Sequence, residues 1–180
     1  MISTALADKL QNPAYVMLRG INILILLVII CSLPLPAIAG SHADSSSQRE
    51  KVADIIWQKE LAIYKARESG DLGVYIANAS EHYMGWPPGW PKPSNLDKLR
   101  AGAKGMKGMD KERLTMTYDD LTLSADGKTA IIYYSTHRTS DPTGKVVDQY
   151  FQICHVWVLE GDQWKLMGAM GRTRPEPISQ

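Results

Sequence analysis

The 180-residue chain is 44% hydrophobic and 22% charged, with a formal net charge of +1, the make-up of one ordinary globular domain. It has neither the charge excess of a disordered tail or electrostatic nucleic-acid binder, nor, with two cysteines, the thiols for a disulfide scaffold or a four-thiolate zinc site. Five tryptophans and eight tyrosines stand against one phenylalanine, a balance that suits a wet pocket or an interface.

From Met17 to Ala39 the chain reads MLRGINILILLVIICSLPLPAIA. A basic flank at Arg19, an apolar run over 21–33 and the small residues Ala37 and Ala39 follow the order of a secretory signal. The run is about 13 residues, short of the ~20 that span a bilayer. Pro34 and Pro36 break helix just before the cut. Residues 1–39 are therefore predicted to be a signal peptide cleaved after Ala39, with Met17 an alternative start and an uncleaved anchor the alternative reading. Export would place the protein in the periplasm or outside the cell, with no stable membrane association after cleavage. Loss of Lys9, Arg19 and Asp8 brings the formal charge to zero, and loss of Cys31 leaves Cys154 alone, expected as a small buried thiol.

Residues 40–47 are small and polar and read as a linker, and 48–172 as the folded domain. Ser47-Gln48-Arg49-Glu50 is a capping box that opens a helix closed by Gly70. On its wheel Val52, Ile56, Trp57, Leu61, Ile63 and Tyr64 share one broad face. Glu60 and Arg67 fall inside that arc, either paired or snorkelling to its edge, or in Glu60's case buried for a purpose. Asp71 caps a second short helix over 72–78. Next comes EHYMGWPPGWPKPS, whose four prolines deny helix and central strand, so that Trp86 and Trp90 sit on a loop covering a concavity or a partner. A third helix is predicted over 95–106. Lys98, Arg100, Lys104, Lys107, Lys111 and Arg113 cluster with Asp97, Asp110 and Glu112, either as a solvated face or as an anion-attracting rim.

Strands are predicted over 113–124, 129–139, 146–159 and 163–170, joined by turns at Ala125-Asp126-Gly127, Asp141-Pro142-Thr143-Gly144 and Glu160-Gly161-Asp162. In the first, the apolar phase switches from Leu114, Met116 and Tyr118 to Leu121 and Leu123, which predicts a bulge at Asp119-Asp120. In the third, one face carries Val147, Gln149, Phe151, Ile153, His155, Trp157 and Leu159, setting Gln149 and His155 among large apolar neighbours. Its other face is apolar enough to suggest a homodimer through the sheet. Residues 173–180 read as a frayed tail. The fold class is α+β: a cone-shaped, curved antiparallel four-strand meander, with room for a short edge strand, wrapped around three N-terminal helices.

The "SGDL" junction, the "YMGWP" segment and the ending "CHVWVLEGDQWKLMGAMGR" resemble the nuclear transport factor 2-like superfamily, in its SnoaL-like bacterial branch, over about 48–172. The resemblance implies a pocket between the concave sheet face and the first helices, and homodimers formed through the sheet. It implies Trp57, Tyr64, Tyr83, Trp86, Tyr118, His155 and Trp157 around the cavity, with Trp90 at its mouth. Gln149 joins them from its strand face. Catalytic members place an Asp acid/base in the pocket, and no acid lies inside the last predicted strand of this chain to match it.

The fold hosts cyclases, isomerases, dehydratases and non-catalytic modules, so activity must come from the site. His155 is the leading acid/base candidate and Glu60 its partner, against the alternative of a structural histidine bonded to a tyrosine or carboxylate. His42, His82, His137 and His155 lack metal-ligand spacing, and no glycine-rich phosphate cradle or nucleophile elbow occurs, so neither metal nor cofactor is predicted. The leading expectation is an exported domain that binds a small apolar or aromatic organic ligand. The alternatives are an acid–base isomerase, cyclase or dehydratase in the same pocket, and a non-catalytic dimerisation module.

Overall fold

The computed structural model describes residues 41–106 and 108–174. The predicted signal segment 1–39, with Cys31 and Met17, lies outside the described residues, as do Lys107 and the tail beyond Arg174. Three helices lead: α1 (Ser41–Glu68), α2 (Gly73–Asn78) and, after two strands, α3 (Leu96–Ala103) with a 3-10 turn at Lys104–Met106. The strands are β1 (Ala79–Trp86), β2 (Ser94–Asn95), β3 (Arg113–Leu123), β4 (Thr129–Ser140), β5 (Val146–Glu160) and β6 (Gln163–Arg174). They form one six-stranded sheet in the order β2-β1-β6-β5-β4-β3.

Helix α1 begins at Ser41, ahead of the Ser47 capping box, so the predicted linker is helical from its second residue. Val52, Ile56, Glu60, Ile63 and Tyr64 are buried on it, at the spacing that holds one helical face against the sheet. Burying each large aliphatic side chain of that stripe contributes about 1.5–3 kcal/mol. Gly70 ends the helix at φ 74°, with Gly70 N–H bonded to Arg67 O (2.9 Å) and Asp71 N–H to Ala66 O (3.0 Å). That paired Schellman geometry requires the left-handed conformation glycine adopts without strain. The Asp71 carboxylate then accepts from Gly73 N–H at 2.6 Å in a turn ahead of α2, whose N-cap position falls on Leu72 instead of the expected Asp71.

The four-strand meander is present, and the bulge falls where the phase switch puts it: Tyr118 pairs with Tyr134 and Asp120 with Tyr133, leaving Asp119 as the extra residue. Arg49 of α1 fastens this bulge, bonding to Leu121 O at 2.8 Å and to the Asp120 carboxylate. Two differences stand out. Strand β1 occupies a segment read from its prolines as loop, but the prolines begin only at Pro87. Ahead of them, 79–86 is free to pair in parallel with β6 and antiparallel with β2. Strand β6 also runs on to Arg174, because the long β5 still offers Phe151 and Tyr150 as partners for Thr173 and Arg174.

Candidate functional site

The long strands β4 and β5 turn alternate residues toward α1, and their register brings the polar ones together. Ile132 lies opposite His155, Tyr134 opposite Ile153, and Thr136 opposite Phe151. Ala130, small and fully buried, faces Trp157 and leaves room for the indole. Glu60 projects from the middle of the α1 stripe into this set and has no solvent exposure.

Burying a carboxylate is costly unless its lone pairs are engaged. Glu60 is engaged on both oxygens. Oε1 lies 2.8 Å from Nδ1 of His155 and accepts from Trp157 Nε1 at 2.8 Å. Oε2 accepts from the Tyr134 hydroxyl at 2.9 Å. The Tyr64 hydroxyl stands 3.4 Å from that of Tyr134, and Tyr134 also lies 3.2 Å from the His155 Nδ1. A carboxylate only accepts, so this geometry puts a proton on His155 Nδ1 and turns Nε2 away from Glu60. Nε2 takes no hydrogen bond from any described residue, and the ring lines the cavity.

The tyrosines around the carboxylate are held neutral. Burial pushes the Tyr134 hydroxyl well above its ordinary pKa, and the neighbouring Tyr64 and Glu60 push the same way. Tyr75 is raised well above by burial and then by Tyr83, whose hydroxyl is 2.8 Å away. Tyr64 is raised by burial against the opposing pull of Arg67. Tyr134 therefore donates to Glu60 without competing with it for charge.

Above the His155 ring opens a cavity of about 410 Å³. Its walls are aromatic and aliphatic: Tyr64 and Tyr75 from the helices, Tyr83 from β1, and Phe151 and Ile153 from β5. The proline segment forms its mouth, where Trp86 Nε1 donates to Trp90 O at 2.7 Å and fixes the loop. The Tyr83 hydroxyl crosses so close over Gly85 that a Cβ there would stand 2.1 Å from it, so only glycine permits this wall.

A second buried carboxylate lies near another part of the same wall. Glu112, just ahead of β3, has no exposure and holds Arg67 through Nε (2.9 Å) and Nη2 (3.0 Å), and Arg138 through Nη2 (2.7 Å). The guanidinium of Arg67 sits over the Tyr64 ring and that of Arg138 over Phe151. Burial lowers the Arg138 pKa and nearby Arg67 adds to this, while Glu112 opposes them; an arginine stays charged throughout.

Of the residues named from sequence, His155, Tyr64, Tyr83, Trp86 and Trp90 line the cavity, and Glu60 lies bonded behind His155. Four do not line it. Trp57, one position round the helix from Ile56, packs edge-on against Tyr118 and Tyr134 instead. Tyr118 stands just before the bulge and is 37% exposed. Trp157 is sealed beneath Glu60 as its donor. Gln149 lies beyond the covered part of β5, exposed and 3.4 Å from Arg138. Arg67 pairs with Glu112, not with Glu60, and Glu112 is a buried counterion instead of a member of a solvated charge cluster. The sequence pattern alone singles out none of Tyr134, Tyr75 and Arg138. The alternation of Ile132, Tyr134, Thr136 and Arg138, set in register with β5, would have found two of them.

No protein-family model matches this chain, and no curated protein does. Solved structures do. A candidate dehydratase of the NTF2-like family from Streptomyces avermitilis is 20% identical, with TM-score 0.55 over 71% of this chain and 99% of its own. A ketosteroid isomerase-like protein from Erwinia carotovora atroseptica is 16% identical, with TM-score 0.55 over 69% and 96%. An NTF2-like protein of unknown function from Pseudomonas putida is 14% identical, with TM-score 0.57 over 72% and 91%. At these identities the likeness shows the fold: this chain has the curved-sheet cone of NTF2-like proteins, with its helices on the concave side.

Proposed function

We propose that this chain is an exported, SnoaL-like pocket protein that takes a small, largely apolar or aromatic organic molecule into its cone. The observation that carries the reading is the cavity itself, about 410 Å³ of space walled by aromatic and aliphatic side chains with a few convergent polar groups at its inner end. The test is mass spectrometry of the purified protein under native and then denaturing conditions. A small organic molecule released on denaturation, and lost when Ile153→Trp fills the cavity, is the expected result. A protein that retains nothing, and whose melting temperature no apolar or aromatic probe raises, overturns it.

A second reading has its own observation. His155 Nδ1 is anchored to Glu60, so Nε2 is positioned as a base at the cavity surface. A base in that place can remove a proton from carbon next to a carbonyl, returning it to another carbon in isomerisation or to the departing hydroxyl, which leaves as water, in dehydration. Two structural neighbours carry such names, a candidate dehydratase and a ketosteroid isomerase-like protein. Under this reading the retained molecule gains deuterium in heavy water with the intact protein, and not with His155→Gln. Binding without exchange leaves the pocket reading and removes the enzymatic one.

Two further elements complete the proposal. The signal-like segment supports export, and amino-terminal sequencing of protein from a periplasmic extract should begin at Gly40; a start at Met1 or Met17 removes this element. The exposed Met84, Tyr133, Met167 and Met170 on the sheet strands support a homodimer through that face. Native mass measurement finding only monomer at micromolar concentration would remove that element.

A further inference from the structure

Arg138 has hydrogen-bonding capacity that the protein leaves unused. Glu112 Oε1 accepts a hydrogen bond from Arg67 Nη2 and lies 2.7 Å from Arg138 Nη2, while Oε2 stands 2.9 Å from Arg67 Nε as an ion pair without a hydrogen bond. Arg138 Nη1 makes only a long 3.4 Å contact with the exposed Gln149, and Nε makes no hydrogen bond. Both guanidinium groups line the cavity, with side chains 25% and 20% exposed, and no acidic side chain among the described residues lines it with them. At this end of the cavity two permanent cations share one carboxylate, a local surplus of one positive charge. A partly exposed cation against aromatic walls is only partly solvated, and a single anionic ligand group would neutralise it.

We propose that Arg138, braced by Glu112 and Arg67, anchors a carboxylate on the ligand, so that the cavity takes an apolar or aromatic monocarboxylic acid. The inference rests on the pocket reading above and narrows it to a substrate class. The surplus of one charge selects a monoanion; a phosphate monoester dianion would convert it into a deficit. The planar fork of arginine matches a carboxylate edge-on, and stacking over Phe151 at 4.8 Å holds the fork's plane. Tyr134 and Arg138 lie four residues apart on one face of β4, about 13 Å along an extended strand. A carboxylate at Arg138 therefore directs the body of a ligand about two fused rings long toward His155.

The test compares 2-naphthoate with 2-naphthamide, matched in shape and differing in charge, by calorimetry and tryptophan fluorescence on the full chain. The acid is expected to bind about tenfold more tightly at low salt, with the gap narrowing as salt rises. Arg138→Gln should abolish the gap, chiefly through lost affinity for the acid, and Arg138→Lys should keep part of it. Glu112→Gln, which removes the competing anion with little change of shape, should tighten acid binding several-fold. A purely structural ion cluster predicts the opposite sign there, and melting curves confirm that each variant is folded. Equal affinity for acid and amide, or a gap that survives Arg138→Gln, overturns the carboxylate inference and leaves the pocket reading intact. Binding of neither probe overturns both.

Discussion

Glu60 and Glu112 are both without solvent exposure, yet the protein holds them by opposite means. Around Glu60 stand two neutral donors, Tyr134 and Trp157, and one titratable ring, His155. Around Glu112 stand two arginines, one engaged through two nitrogens and one through a single nitrogen. At the first, the charge is balanced by hydrogen bonds and the freedom left over is that of a proton on an imidazole. At the second, the charge is overbalanced and the freedom left over is that of a cation. The pair teaches that burial alone does not define a buried carboxylate's role; the titration behaviour of its partners does.

The sharpest way to break this contrast is to remove each carboxylate. Glu60→Leu orphans the Trp157 N–H at zero exposure and leaves the equally buried Tyr134 hydroxyl only its longer contacts to Tyr64 and His155. At about 1–3 kcal/mol for each of these two buried donors, the expected loss is ~2–6 kcal/mol, read by urea unfolding. A loss below ~1 kcal/mol would mean that the network is not what holds α1 to the sheet.

The next effect is alkaline and belongs to the Glu60 end alone. Tyr64, Tyr75 and Tyr134 have native pKa values raised above 10.0, chiefly by burial. Above pH 10 the unfolded chain releases these protons while the native protein keeps them, so the native state binds more protons and its stability falls as pH rises. The contribution is fully present below pH 10 and is lost as pH climbs toward the native values, by up to ~1.4 kcal/mol per pH unit for each tyrosine. Absorbance at the phenolate band should rise for these three together with the loss of secondary structure. Smooth ionisation of every tyrosine before unfolding would contradict the burial of the cluster.

Much of one end was legible in the sequence and little of the other. Glu60 stood out because an acid inside an apolar helical arc breaks a strong periodic pattern. His155 stood out in the same way on a strand face of period two. The α+β class and the Asp119 bulge followed from the same two periodicities. Glu112 lies between a glycine-rich turn and a strand, where no period applies, and its basic neighbours made it look like one half of a solvated pair. Arg138 sits on a strand with mixed faces, and its partner Arg67 is 71 positions back, so only the tertiary fold brings both to one carboxylate. Strand β1 was hidden by the prolines that follow it. The wrongly placed aromatics, Trp57 and Tyr118, sit one helical step and one bulge away from the cavity, small offsets that composition cannot resolve.

Glu112→Ala should cost less than Glu60→Leu, about 2–3 kcal/mol, although it leaves two cations behind in place of two neutral donors. The reason is access. Arg67 and Arg138 line the cavity and can take water there, whereas Tyr134 and Trp157 are sealed. If the order is reversed, the arginine end is drier than its side-chain exposures indicate, and the cavity does not reach it.

Tyr134→Phe is the smallest of these changes and the one that addresses the relation between the tyrosine and the histidine. It removes the donor to Glu60 Oε2 but leaves both bonds to Oε1, so the carboxylate keeps the Trp157 N–H and His155 Nδ1. Loss of one hydrogen bond between sealed partners should cost ~1–2 kcal/mol, since the phenyl ring still fills the space but Oε2 goes unsatisfied. The more informative readout is the histidine. With one fewer donor, Glu60 pulls harder on the Nδ1 proton it accepts, and the nitrogen-15 resonance of His155 Nδ1 should move relative to the intact protein. The same substitution should leave the acid-over-amide preference at Arg138 unchanged, because Glu112 is held without Tyr134. A shift in both readouts would tie the two carboxylates into one network; a shift in His155 alone keeps them as separate devices on one wall.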